Sequence, residues 1–174
     1  MNRFPTPTGC HPWASPAMSQ FFRVFSRCDV PPDPEAVVES VRRSYSDVIA
    51  HFRGDDLGWF EGRLQLDPDS PPIVVERFLT KEDDLRGELN TWAAWLESTG
   101  DMPVHHQSMQ QVVTAAQLFT VRQPIEEEDD YAVDPSVEAA CVGLCQFLAS
   151  QTDGIYQVDH HGFFAADGSL LVAE

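Results

Sequence analysis

The sequence predicts an α+β fold in which an antiparallel sheet is packed by two or three helices. Short runs rich in β-branched and aromatic residues alternate with segments whose apolar residues recur at every third or fourth position. Two helical segments open with an Asp-Pro pair, and an Asp-Gly pair separates two apolar runs near the C-terminus, which favours a tight hairpin. These observations predict helices and strands mixed along one chain.

The chain has 174 residues, of which 43% are hydrophobic, and this is enough for one buried core. Residues 1–19 contain four prolines and follow no helical or strand period. We therefore expect a flexible N-terminal arm at residues 1–19, with Met18 as an alternative start, and a single α+β domain over residues 20–174.

The first regular elements are a strand and a helix. Residues 21–28 are apolar and aromatic and end before a proline pair, which predicts a buried strand. Asp33 can accept a hydrogen bond from an unpaired amide, and Pro34 suits the first helical position. The apolar stripe from Val37 to Phe52 extends this predicted helix to Gly54.

A hairpin and a second helix follow. Residues 59–66 and 73–79 read as strands joined by a turn rich in aspartate and proline. Thr80 and Asp83 have the spacing of a capping box for a helix that ends before Gly100. Residues 105–115 fit a helical face less clearly, and residues 118–121 read as a strand. The resulting order βαββαβ is that of a ferredoxin-like core, with two helices over one face of the sheet, and we prefer this arrangement.

The C-terminal part adds one helix and a hairpin. Asp134-Pro135 repeats the helix opening, and the helix ends before Gly154. Residues 155–158, 162–166 and 169–172 read as strands, with Asp167-Gly168 as the turn between the last two.

The charge imbalance is the strongest functional signal in the sequence. Aspartate and glutamate number 28 against 11 lysines and arginines, which gives a formal net charge of −17. Such a surface repels phosphate backbones and anionic lipid, and attracts basic proteins. We therefore expect no nucleic-acid or membrane partner, and the lack of a long apolar run or leader pattern predicts a cytoplasmic protein. The preference for arginine over lysine hints at a bacterial source.

Five consecutive carboxylates followed by a tyrosine are the best candidate for a partner-binding surface. They cannot be buried, and they repel one another unless cations are near. The adjacent aromatic ring supplies the kind of anchor that an interface needs. Most such runs are solvated loops, and that alternative stays open. The candidate residues are Glu127, Glu128, Asp129, Asp130 and Tyr131, preceded by Glu126.

Two histidine pairs are the candidates for a metal site. They are His105-His106 and His160-His161, the second preceded by Asp159. Imidazole and carboxylate groups from converging segments could bind a first-row cation, although no ligand motif such as HExxH accompanies them. Solvated loop histidines are the simpler interpretation, so we predict no metal site and no cofactor.

Four cysteines are too few for a disulfide framework in a chain with an adequate core. Cys141 and Cys145 lie four residues apart on the apolar stripe of the last predicted helix, with Cys10 and Cys28 elsewhere. Small buried thiols explain this spacing better than a metal site does, and we predict no nucleophilic cysteine.

The sequence therefore favours a non-enzymatic bacterial interaction module with an acidic binding face. Its concrete form is an immunity or antitoxin-like protein that neutralises a basic partner. No phosphate-binding loop, nucleophile elbow or paired-carboxylate motif points to an enzyme. The alternatives are a small metal-binding protein or metal-dependent enzyme that uses the histidine pairs, and a sensing domain that binds a small molecule on an open sheet face.

Overall fold

The computed structural model describes residues 20–124 and 134–174, which form an α+β fold. The strands are β1 (Phe22–Ser26), β2 (Ile49–Asp55), β3 (Gly58–Gln65), β4 (Ile73–Leu79), β5 (Gln117–Arg122), β6 (Gly154–Val158), β7 (Gly162–Ala165) and β8 (Leu170–Ala173). The helices are α1 (Pro34–Arg42), α2 (Arg86–Thr99), α3 (Pro103–Val113) and α4 (Pro135–Gln151).

All eight strands belong to one antiparallel sheet in the order β2-β3-β4-β5-β1-β6-β7-β8. Two meanders, β2-β3-β4 and β6-β7-β8, flank the central pair β5 and β1. Strand β1 pairs with both β5 and β6, and four of its five residues are buried. A strand buried on both faces reads as a nearly continuous apolar run, which is why the sequence identifies it.

Helices pack on both faces of the sheet. Successive strand residues point to opposite faces, so neighbours in β1 belong to different cores. Val24 joins α1 and α4 in one buried cluster, whereas Phe25 joins α2 and α3 in the other. The ferredoxin-like core is therefore not confirmed, because α1 and α2 lie on opposite faces and an additional strand, β2, follows α1.

The first helix is shorter than the sequence predicts. It ends at Arg42, a turn follows over residues 43–48, and residues 49–54, which were expected to be helical as well, belong to β2. Strand β2 pairs with β3, and a Cβ atom placed on Gly62 would lie 2.7 Å from Cε1 of Phe52. The Phe52 ring also packs edge-on against Trp59, with ring centroids 5.4 Å apart. Tertiary pairing of this kind overrides the helical spacing of the apolar residues.

The remaining elements follow the predictions closely, with one correction at α2. The hairpin of β3 and β4 is confirmed, and so are α4 and the C-terminal hairpin of β7 and β8. The ambiguous segment is helix α3. Thr80 does not cap α2, which begins at Arg86 without a side-chain cap. The Asp83 carboxylate instead accepts a hydrogen bond from the amide of Leu79 at 2.8 Å, which closes the turn after β4.

The cap of α1 gives a first testable prediction. The Asp33 carboxylate accepts a hydrogen bond from the amide of Glu35 at 2.8 Å. We expect Asp33→Ala to lower the free energy of unfolding by about 1 kcal/mol, because this amide loses its acceptor. Asp33→Asn keeps an acceptor oxygen, and its free energy of unfolding should stay within about 0.3 kcal/mol of the wild-type value. Urea titration followed by circular dichroism measures both, and equal losses for the two variants would refute the capping role.

Candidate functional site

One half of the sheet is open on the face that carries α2 and α3. These helices cover the other half of that face, where Trp92 and Trp95 pack on Phe163 with ring centroids 5.6 and 5.7 Å apart. Over β2, β3 and β4, no helix within residues 20–124 and 134–174 covers the same face, and Arg53 and Arg63 are exposed there. We call this surface the open face. It comprises the side chains of Ile49, His51, Arg53, Phe60, Glu61, Arg63, Gln65, Val74, Glu76, Phe78, Thr120 and Arg122, among which Val74 is buried.

Strand register arranges these side chains in rows that run across the strands. Paired residues of neighbouring strands lie side by side on one face. One row contains His51, Arg63, Val74 and Arg122, and we call it the basic row after its three cationic or titratable members. The next row contains Arg53, Glu61, Glu76 and Thr120.

A third row is aromatic. Phe78 lies beside Leu118 in the register of β4 and β5. Phe60 is the extra residue of a bulge in β3, and such bulges redirect a side chain next to a functional surface. Phe60 remains 36% exposed, so its ring is accessible to a partner.

Ion pairs fix the side chains of the middle row, which contains Arg53, Glu61, Glu76 and Thr120. Glu61 accepts from Nε of Arg63 at 2.8 Å and from Nη1 of Arg53 at 3.5 Å, and Glu76 lies 3.4 Å from Nε of Arg122. The hydrogen bond from Arg63 is the main cause that lowers the pKa of the Glu61 carboxyl. The Arg53 guanidinium also lies over the Phe60 ring, 5.4 Å from its centroid.

A cleft of about 290 Å³ lies at the aromatic end of the open face. The turn between β2 and β3 forms one wall, and the segment after β4 forms the other. Its apolar lining comes from Leu57, Phe60, Phe78 and Leu79, and its carboxylates are Asp55, Glu61, Glu76, Glu82 and Asp83. We call it the acidic cleft. Within the described part of the chain, no ion pair engages Asp55, Glu82 or Asp83.

A buried arginine holds the walls of the acidic cleft in place. The Arg77 side chain donates to Oε1 of Gln117 at 2.5 Å and to the carbonyl oxygens of Leu57, Trp59 and Asp29 at 3.0, 3.2 and 2.7 Å. Arg77 is only 6% exposed, and burial is the main cause that lowers its pKa. Its hydrogen bonds tie the turn between β2 and β3 to the loop before α1, so the arginine positions the cleft. The guanidinium remains a cation, and Coulomb attraction to Asp55, Asp29 and Asp83 stabilises its charge.

The acidic cleft suits a cationic group on an apolar stem. Aromatic rings attract such groups through their electron-rich faces, and nearby carboxylates add Coulomb attraction. Arg53 already makes both contacts within the chain, over Phe60 and beside Glu61.

The residues singled out from the sequence fall elsewhere. The run Glu127, Glu128, Asp129, Asp130 and Tyr131 lies outside the described residues. His105 and His106 belong to α3, and His106 hydrogen-bonds to Asp101 at 2.8 Å. Asp159, His160 and His161 form the turn between β6 and β7.

The two histidine pairs do not combine into a metal site. The Asp159 carboxylate forms an ion pair with Arg23 at 2.6 Å, and Nδ1 of His161 hydrogen-bonds to the carbonyl oxygen of Asp159. The residues that the structure describes hold no group of three or more histidine, cysteine, aspartate or glutamate side chains placed to bind a metal ion.

Cys141 and Cys145 are buried, as the sequence predicts, in the core beneath α4. Burial raises the pKa of Cys141 to about 12 and raises that of Cys145 as well. Since the thiolate is the reactive form, both should resist alkylation at pH 8 in the folded protein. Cys28 is partly exposed and should react.

Alkylation with iodoacetamide and peptide mapping by mass spectrometry tests this difference. We expect at least a hundredfold slower labelling of Cys141 and Cys145 than of Cys28, because burial raises the pKa of Cys141 to about 12 and raises that of Cys145 as well. Labelling of all three at one rate in native buffer would contradict the buried placement, and urea-unfolded protein provides the fully reactive control.

Arg77, Phe60 and Phe78 are residues of the candidate site that sequence reasoning missed. Arg77 stands in a strand that is apolar apart from Arg77 and Glu76, and a charged residue at a core-facing position is the one signal that could have identified it. Nothing local marks the two phenylalanines, because their exposure depends on which half of the sheet the helices cover.

The comparisons with known proteins leave the site to be interpreted from its geometry alone. No protein-family model, no curated protein and no solved structure matches the chain. In the described ranges, none of the helices is long and apolar enough to span a bilayer.

Proposed function

We propose that this protein is a non-enzymatic interaction module that binds a basic segment of a partner protein in the acidic cleft. The observation that carries the proposal is the combination, in one cavity, of an aromatic lining, which we call its floor, with three carboxylates that form no ion pair with the described residues. Phe60 and Phe78 supply the floor, and Asp55, Glu82 and Asp83 supply the charge.

The energetics favour an arginine or lysine side chain as the central contact. A cation over an aromatic face contributes about 0.5–1 kcal/mol at an exposed site. Unpaired carboxylates near the rings add attraction that salt weakens over a Debye length of about 10 Å. The net charge of −17 steers a basic partner toward the protein and raises the association rate.

In its concrete form, the proposal describes a cytoplasmic bacterial immunity or antitoxin-like protein that neutralises a basic partner. The support is electrostatic: carboxylates at a binding face can occupy the place of phosphates on a basic protein. The run Glu127, Glu128, Asp129, Asp130 and Tyr131 remains a predicted second contact of the same partner.

A salt series with a basic probe tests the proposal. We expect a fluorescein-labelled tetra-arginine peptide to bind the full chain with an affinity that falls about tenfold between 50 and 300 mM NaCl. A tetra-glutamate peptide of equal length should not bind. Binding of the basic peptide that is indifferent to salt, or equal binding of the two peptides, would overturn the proposal.

Charge-reversal variants distinguish binding at the acidic run from binding at the acidic cleft. Changing Glu127, Glu128, Asp129 and Asp130 to lysine tests the acidic run, and Glu82→Lys tests the acidic cleft. The proposal requires that Glu82→Lys weakens binding in a chain whose acidic run is intact. An effect of the run alone would locate the interaction outside the cleft and contradict the proposal.

A further inference from the structure

The open face has opposite charges at its two ends. Three arginines, Arg53, Arg63 and Arg122, lie on this face of a chain that has ten arginines and one lysine. Glu61 pairs with Arg53 and Arg63, and Glu76 pairs with Arg122, so three arginines meet two glutamates and one positive charge stays in excess. The basic row and the middle row together therefore contrast with the acidic cleft, whose Asp55, Glu82 and Asp83 form no ion pair with the described residues.

The positions of two residues in strand β4 give the distance between the basic row and the acidic cleft. Val74 lies in the basic row, between Arg63 of β3 and Arg122 of β5. Phe78 lies in the floor of the acidic cleft. Both side chains point to the same face because their positions in the strand differ by four, which is an even number. Four residues of a strand span about 13 Å.

An extended peptide has the same repeat as the strand on which it would lie. Residues four apart in such a peptide also point to one side and also lie about 13 Å apart. A cationic side chain seated in the acidic cleft would therefore place the side chain four residues away over Val74. Arg63 and Arg122 flank that position, which favours a carboxylate.

We propose that the open face selects an extended polypeptide segment with a cationic side chain and, four residues from it, an acidic one. This inference rests on the proposed function, since it takes the acidic cleft as the site of the cation. It adds a specificity rule: the partner segment has one cationic and one acidic side chain, and a purely basic segment binds less tightly. We call such a segment dipolar.

Arg63 contributes to this selectivity because its guanidinium can donate to Glu61 and to a carboxylate of the partner at the same time. Its Nε atom bonds Glu61, while the side chain is exposed beside Val74. Arg122 does the same beside Glu76 at 3.4 Å. Each guanidinium has five donors in a planar fork, so a bond to one glutamate leaves donors for a carboxylate of the partner.

Three synthetic peptides test the rule by nuclear magnetic resonance titration of the full chain. The first is acetyl-Arg-Thr-Val-Thr-Glu-amide, the second replaces its Glu with Gln, and the third is acetyl-Arg-Thr-Val-Glu-Thr-amide, in which the acid is three residues from the arginine. We expect the first peptide to bind about threefold more tightly than either of the others, as a well-placed exposed ion pair would allow.

Variants of the protein locate the effect. Combining Arg63→Gln with Arg122→Gln should abolish the preference for the first peptide over the Gln peptide. The affinity for the Gln peptide itself should not fall, because Glu61 and Glu76 of the acidic cleft lose their arginine partners. The matched control, Arg42→Gln with Arg43→Gln, removes two arginines at the end of α1 and should preserve the preference. A preference that survives the loss of Arg63 and Arg122 would overturn the inference.

Other outcomes separate this inference from the proposed function. Equal binding of the three peptides, with shifts at Phe60 and Phe78, would overturn the dipolar rule and leave the acidic cleft as a cation site. No binding of any arginine peptide would overturn both. If sedimentation gives a dimer that Arg63→Gln with Arg122→Gln dissociates, a second copy occupies the face and the inference is wrong.

Discussion

Replacing Arg77 with methionine is expected to lower the free energy of unfolding by about 3–5 kcal/mol, since several buried acceptors lose their donor together. Methionine fills most of the space of the arginine stem but donates no hydrogen bond. The carbonyl oxygen of Trp59 and the amide oxygen of Gln117 would be left buried without this donor, and the carbonyl oxygens of Leu57 and Asp29 would be left partly buried.

The consequences extend beyond Arg77 because Gln117 continues the network. Its Nε2 atom donates to the carbonyl of Cys28 at 2.6 Å, and Ser26 donates from Oγ to the carbonyl of Thr152 at 2.9 Å. Loss of the arginine therefore loosens the loop before α1 and the turn between β2 and β3 together. We expect the acidic cleft to lose its shape in this variant.

Urea unfolding at equal protein concentration measures the loss, and two further variants control it. Arg77→Lys retains the charge and one donor group, so it should cost about half as much as Arg77→Met. Arg43→Met removes an exposed arginine at the end of α1 and should change the free energy of unfolding by no more than about 0.5 kcal/mol. A loss below about 1 kcal/mol in Arg77→Met would contradict the network, because a single unmade buried hydrogen bond costs that much.

Reversing one charge at the acidic cleft is expected to weaken binding of the tetra-arginine peptide by about tenfold, or about 1.4 kcal/mol. Glu82 is the suitable position, because it lines the cleft and its carboxylate has no hydrogen bond or ion pair with the described residues. Glu82→Lys replaces attraction with repulsion and leaves Asp83 free to close the turn after β4.

The matched control is Glu97→Lys, which makes the same charge change on an exposed position near the end of α2. It alters the net charge equally and should change the affinity by less than about twofold, since distant surface charges are screened. Fluorescence anisotropy at 50 mM NaCl compares the two variants. Equal weakening by both would mean that only the overall charge attracts the peptide.

The sequence identifies most elements of this fold but not their arrangement. Capping at Asp33 and Asp134, the Asp167-Gly168 turn and the apolar runs are local signals, and each corresponds to an observed element. Strand β2 was assigned to a helix because its apolar residues, including Phe52, also fit a helical stripe. Only pairing with β3 and the contact of Phe52 with Gly62 decide between the two structures.

The site was less accessible to prediction than the fold. An acidic binding face was inferred from net charge, but the acidic cleft is assembled from the turn after β2, the bulge at Phe60 and the segment after β4. The rows of the open face depend on strand register, which brings Arg63 and Arg122 to either side of Val74 although they are distant in the chain. Single-sequence patterns do not encode that register.

The measurement that tests the central claim most directly is a nuclear magnetic resonance titration of the isotope-labelled full chain with the tetra-arginine peptide. We expect saturable shifts at the amides of Phe60, Phe78 and Glu82, and the loss of these shifts in Glu82→Lys. Shifts that spread over acidic residues far from the acidic cleft, or that persist unchanged in Glu82→Lys, would contradict that claim.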